Sequence, residues 1–143
     1  MIKANSEKKS ICIIPARGGS KRIPRKNIKD FFGKPIIYYS IKKAIESKCF
    51  DEIMVSTDDN EIKNIALKYG AKVPFMRTKE NAEDKIPIKD VIIEVLKKYE
   101  EFGKTFNYAC CIFPTAPLLN VENIISGHEK IKSYNYVFAV SPF

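Results

Sequence analysis

Short apolar runs alternate along this chain with longer stretches in which apolar residues recur every three or four positions. Residues 11–14 (Ile11, Cys12, Ile13, Ile14) are continuously apolar, the pattern of a strand buried on both faces. Pro15 has no N–H to donate, so that strand is predicted to end there. The spacing then predicts a helix over 35–47, with Ile36, Ile37, Tyr39, Ser40, Ala44 and Ile45 near one stripe and Pro35 in its first turn. A second strand follows at 53–56. Thr57, Asp58 or Asp59 can cap the next helix, which runs to Lys68 and is closed by Gly70. A third strand is predicted at 72–75. The helix over 87–101 carries Ile88, Val91, Ile92, Val95, Leu96 and Tyr99 on its apolar face and is closed by Gly103. Residues 108–113 read as a fourth strand, 121–132 as a fourth helix and 136–140 as a fifth strand. Residues 1–10 read as a polar, flexible tail, leaving one domain over 11–143.

Strands and helices alternating at these lengths predict an α/β fold, with a mostly parallel sheet covered by helices on both faces. Such sheets bind ligands beyond the carboxyl ends of their strands. That rule gathers four segments on one rim: the loop after Pro15, Ser56-Thr57-Asp58, the residues after Phe75, and Pro114-Thr115-Ala116-Pro117.

Charge sharpens the picture. The chain has 143 residues and a net charge of +8. Residues 1–48 hold thirteen Lys/Arg against three Asp/Glu, a net of +10, and the remainder is −2. The basic excess is therefore local to the first loop and its flanks. Aromatic residues are not interleaved with it as a nucleic-acid stacking platform requires, so a focused anionic ligand is expected rather than nucleic acid. No apolar run reaches membrane-spanning length, so no membrane partner is expected. Cys12, Cys49, Cys110 and Cys111 form no C-x-x-C pair, which predicts reduced thiols and a cytoplasmic setting. His128 reads as surface decoration, and Lys42, Lys43, Lys97 and Lys98 as solvated helix faces.

The candidate chemistry sits in residues 14–27, IPARGGSKRIPRKN. Gly18 and Gly19 let the backbone approach a ligand, and successive loop amides can form an anion-binding concavity. Arg17, Lys21, Arg22, Arg25 and Lys26 surround it. An arginine fork grips two phosphate oxygens, and a lysine acts as a movable point charge. Neither G-x-x-x-x-G-K-[ST] nor G-x-G-x-x-G occurs, so this is a third kind of phosphate loop.

The opening IIPARGGSKRIPRKNIKDFFGKPIIYYSI resembles the signature of the acylneuraminate cytidylyltransferases. STDD at 56–59, PFMR at 74–77 and PTAPLL at 114–119 follow in that family's order. Phe113 stands where many sialic acid members carry glutamine, and Ala116 replaces their serine; both favour the pseudaminic acid branch over the sialic acid branch, with a CMP-sialic or CMP-legionaminic acid synthetase as the alternative reading. The resemblance implies a Rossmann-like three-layer sandwich of the nucleotide-diphospho-sugar transferase type. It implies transfer of CMP from CTP to a nine-carbon 2-keto acid sugar, with loss of pyrophosphate. By it, Arg17 and Lys21 hold the triphosphate and stabilise charge at the α-phosphate. Ala16, Gly18, Gly19 and Ser20 complete the phosphate loop, and Lys26 and Asn27 contact phosphate and cytosine. Arg77 contacts the nucleotide near its base, and Pro114, Thr115, Ala116 and Pro117 line the sugar side. Asp58 and Asp59 read as helix caps, and Ile86 and Ile88 stand where hydroxyl residues are expected. The resemblance also implies Mg2+ and a homodimer. The acidic metal ligands and much of the dimerisation region are expected beyond residue 143, so no residue is assigned to metal. The chain as given is expected to keep CTP affinity with poor turnover. An inactive interaction module and a basic nucleic-acid-binding domain are the rival readings.

Overall fold

The computed structural model describes residues 8–140. Along the chain lie β1 (Ser10–Pro15), a hairpin of β2 (Asp30–Phe31) and β3 (Lys34–Pro35), α1 (Ile37–Ser47), β4 (Glu52–Ser56), α2 (Asn60–Lys68), α3 (Ile88–Glu101), β5 (Tyr108–Cys111) and α4 (Val121–Lys130). The first apolar run forms the middle of a parallel sheet, in the order β4-β1-β5. Ile11 lies opposite Glu52 and Pro15 opposite Ser56 on one side; Ser10 lies opposite Tyr108 and Ile13 opposite Cys111 on the other.

A parallel sheet must be covered on both faces, and alternate residues of β1 supply both cores. Ile11 and Ile13 join Met54, Val95 and Tyr99 beneath α3. Cys12 and Ile14 join Ile37, Ile41, Ala44, Val55, Ile62 and Ile124 against α1, α2 and α4. The result is the three-layer α/β arrangement that the alternation predicts, and every residue of β1 is buried.

Several boundaries differ. Residues 72–75 form no strand. Lys72 donates its N–H to Ile53 O (2.8 Å) and accepts from Val55 N (2.9 Å), a single parallel bridge. Pro74 has no N–H to carry the ladder further. Residues 136–140 are also irregular, because no described strand lies along the free edge of β5; Tyr136, Phe138 and Val140 are exposed. The first helix starts at Ile37 rather than Pro35, because Pro35 pairs with Asp30 in the hairpin. Phe32 (φ 49°) and Gly33 (φ 77°) form its turn, and two consecutive positive φ angles are what a two-residue type I′ connection requires. Pro87 caps α3 rather than opening it, and β5 ends at Cys111, with one further ladder bond from Ile112 N to Ile13 O (3.1 Å).

Ser10 belongs to the sheet and not to the expected tail. Its N–H donates to Asp51 Oδ2 (2.7 Å), while residues 1–7 lie outside the described region. His128 is not surface decoration: its Nε2 lies 3.0 Å from Ser10 Oγ, and its ring meets Phe50 and Tyr108 edge-on. Nor is Lys98 simply solvated, since it pairs with Glu94 (3.1 Å) and donates to Met76 O (3.0 Å). No described helix is long and apolar enough to cross a membrane.

Candidate functional site

The rim is built outward from the carboxyl end of β1. Ala16 is fully buried, and its N–H donates to Ser56 O (2.9 Å), which extends the β1–β4 ladder by one bond. The loop then passes over the N-terminus of α2. Gly18 N donates to Asp58 Oδ1 (2.8 Å). A Cβ at Gly18 would fall 2.7 Å from Asp59 Oδ2 and 2.8 Å from Asp59 Cβ, so close approach to α2 demands glycine here. A Cβ at Gly19 would meet nothing within 4 Å. Ser20 N turns back to Gly18 O (3.0 Å). The expected concavity of free amides is thus partly closed by the protein's own acceptors.

Two residues fix the far end of the loop. Arg25, in the left-handed region at φ 54°, donates to Asp59 (2.6 and 3.0 Å) and to Glu61 (2.5 Å). Asp59 caps α2 by accepting from Ile62 N (2.9 Å), as the sequence predicts. The hydrogen bond from Arg25 holds its carboxyl down at about 2, against the opposing effect of burial. Asn27 is buried, and its Nδ2 donates to Arg17 O (2.9 Å), tying the start of the loop to its end.

The two principal cations converge. Arg17 grips Asp84 Oδ1, and Lys21 Nζ lies 2.6 Å from Asp84 Oδ2. The hydrogen bond from Lys21 and then that from Arg17 hold the Asp84 carboxyl below the usual carboxylate range, outweighing its slight desolvation. Asp84 is set in place from α3. Glu94 accepts from Thr78 N (3.0 Å) and Asn81 Nδ2 (2.5 Å), which fastens residues 78–81 and so aims 82–84 at the loop. Arg77 is buried, with its Nε on Ser56 Oγ (3.0 Å) and one Nη on Ser56 O (2.7 Å). Burial lowers its affinity for its proton, while Asp58 and Glu94 raise it.

These groups surround a cleft of ≈ 260 Å³. Of the predicted residues, Arg17, Lys26, Asn27, Arg77, Pro114 and Thr115 line it. Lys21 reaches its edge through Asp84, and Gly18, Gly19 and Ser20 form the adjoining loop. Ala16 faces the core, and Ala116 and Pro117 stand in a turn beyond the lining, where Ala116 O accepts from Leu119 N (3.1 Å). Asn81, Glu83 and Asp84 also line the cleft; they belong to no motif, and the acidity of their polar segment is the one sequence signal they carry. Val91, on the apolar face of α3, adds to the wall. Phe113 projects at the mouth, with its carbonyl held by Ser40 Oγ (2.8 Å).

A magnesium ion bound with a triphosphate needs one or two carboxylates beside phosphate oxygens and water. Among the described residues no three metal-ligating side chains cluster. Asp58, Asp59 and Asp84 are each engaged with loop amides or cations. Among the described residues none is assigned to a metal.

Residues 11–142 match the family model described as Cytidylyltransferase. The chain is 46% identical over 137 residues to the pseudaminic acid cytidylyltransferase of Campylobacter jejuni, covering 94% of this chain and 59% of that protein. It is 39% identical over 133 residues to the CMP-N,N'-diacetyllegionaminic acid synthase of Legionella pneumophila, covering 92% and 57%. The chain thus spans less than two thirds of the length of these relatives. Its fold is similar to that of CMP:2-keto-3-deoxy-manno-octonic acid synthetase solved with CTP, at a TM-score of 0.73 and 24% identity over 87% of this chain and 47% of that one.

Proposed function

The chain belongs to the cytidylyltransferase family, and on that premise we propose that it carries the CTP-binding half of an enzyme that transfers CMP to a nonulosonic acid, with pseudaminic acid the favoured acceptor. The observation that carries this reading is the convergence of Arg17 and Lys21 on one carboxylate at the mouth of the cleft. Two cations that close on a carboxylate have the spacing and charge to close on a phosphate.

In the reaction, the anomeric hydroxyl of the acceptor attacks the α-phosphorus of CTP. The new P–O bond forms as the bond to the β-phosphate oxygen breaks, the pyrophosphate takes that electron pair, and the hydroxyl proton passes to solvent or base. There is little covalent work for the protein beyond positioning and electrostatics. Arg17 and Lys21 oppose the charge that grows on the phosphates. Asn27 holds Arg17's backbone in place, and Lys26 adds charge along the wall. Arg77 forms a rigid polar floor through its bonds to Ser56. Ile86, Ile88 and Phe113 give the remaining wall an apolar surface suited to a base or to acyl groups on the sugar. Mg2+ and a homodimer belong to this reading for the whole protein; no step above depends on either.

The test is pyrophosphate release by the full-length protein with CTP, Mg2+ and, in turn, pseudaminic, legionaminic and sialic acids. Release with pseudaminic acid well above the others supports the reading. Release with none of them, beside salt-sensitive binding of oligonucleotides that displaces CTP, would support the nucleic-acid alternative instead.

A further inference from the structure

We propose that Asp84 is an internal competitor for the phosphate cations, so that a polyphosphate enters this site by displacing a carboxylate of the protein itself. This rests on the reading of Arg17 and Lys21 as triphosphate ligands. Each oxygen of Asp84 is taken by a different cation, Oδ1 by Arg17 and Oδ2 by Lys21. A phosphate cannot take the same donors in the same geometry while the carboxylate keeps them. Asp84 is also not an ornament on a free loop. Thr78 and Asn81, a few residues before it, are both tied to Glu94 on α3, while the cations stand on the loop that leaves β1. The contact therefore bridges two separately anchored walls of the cleft.

The fraction of molecules in which Asp84 is released sets the apparent affinity, because a ligand that binds only the released form is weakened by that fraction. Such a competitor acts selectively. It weakens ligands that need Arg17 and Lys21 and leaves untouched ligands that do not. Asp84 therefore works as a positioning residue, acting through the two cations. Its side chain is partly exposed, so the pairs are of the modest, salt-screened kind that a more highly charged ligand can replace.

The experiment is equilibrium titration of the chain and of its Asp84→Asn and Asp84→Glu variants with CTP, inorganic pyrophosphate and cytidine. Asp84→Asn keeps the shape and removes the charge. It is expected to bind CTP and pyrophosphate roughly three- to tenfold more tightly, with cytidine unchanged, and Asp84→Glu is expected to return toward the parent chain. Weaker or unchanged CTP binding by Asp84→Asn, with CTP still bound by the parent, overturns the competitor while leaving the CTP reading intact. An equal gain for cytidine also overturns it, since the effect would then not pass through the cations. Absence of CTP and pyrophosphate binding in every chain overturns the functional reading, and this proposal with it. Thermal melting of each variant confirms that the folded chain is being titrated; if Asp84→Asn melts early, Asp84→Ser, which also removes the charge, is titrated in its place. The same selective gain for CTP and pyrophosphate is expected of it, and no gain overturns the proposal.

Discussion

Arg17 and Arg25 lie eight residues apart in one loop, and both are paired with acid, yet they do different work. Arg25 closes a network: it binds both oxygens of Asp59 and one of Glu61, and Asp59 in turn caps α2. Arg17 shares a single carboxylate with Lys21, at the edge of a cleft. One arginine is consumed in holding the loop to the fold; the other is held ready by a partner that can be replaced. A count of cations in the loop treats them alike, and only their partners tell them apart.

Replacing both Arg17 and Lys21 by Ala breaks the comparison on the ligand side. Turnover by the full-length protein is expected to fall roughly 10²–10³-fold, the order seen when fixed donors to a developing charge are removed. The melting temperature should stay close to that of the parent, because those pairs lie at a partly exposed rim where ion pairs contribute little. A large drop in melting temperature would show that these cations are structural after all.

Arg25→Ala breaks the other side. Loss of its bonds is expected to cost about 1–2 kcal/mol of stability, measured by denaturant unfolding, with a smaller effect on ligand affinity. Arg25→Gly loses the same bonds but relieves the left-handed backbone, so it should be the more stable of the two by about 1 kcal/mol. Equal stability would mean that the loop can shift its backbone freely at this point.

Gly18 and Gly19 offer a sharper and smaller contrast. Gly18→Ala forces Asp59 away and should cost about 1–3 kcal/mol, since overpacking must displace a capping side chain. Gly19→Ala has open space and should change stability by no more than about 0.5 kcal/mol.

The same network also makes stability depend on pH in acid. The folded-state pKa of Asp59 is depressed to about 2 from an ordinary 3.8. Its contribution to stability is therefore present above about pH 4 and is lost as the pH falls toward 2. The parent should lose stability across that window more steeply than Arg25→Ala, in which the shift is largely removed.

Much of this was legible from residue pattern because local chemistry and tertiary position agree there. The run from Ile11 to Ile14 has no polar residue, so it could only lie at the centre of a covered sheet. Asp59 stands one residue before an amphipathic helix, and it caps that helix. The pattern misled where pairing partners decide the outcome. Pro35 suits a first helical turn, but the two-residue turn at Phe32-Gly33 drew it into a hairpin. The continuous apolar run from Tyr136 to Val140 suits a strand, but no neighbouring strand among the described residues receives it. In the site, the cations announced themselves by clustering. Asp84 did not, because its importance comes from the fold carrying an ordinary acidic segment across the cleft to meet them.

The claim at the centre of this account is that Arg17 sits in a CTP site and Arg25 in the scaffold beneath it. Thermal melting of the chain with increasing CTP tests it most directly, since a ligand that binds the native state must raise stability, by about 2.7 kcal/mol at a hundred times the dissociation constant. The account predicts a saturable rise in melting temperature that Arg17→Ala abolishes and that Arg25→Ala retains from a lower starting point. No rise in the parent, or the same rise in Arg17→Ala, would contradict it.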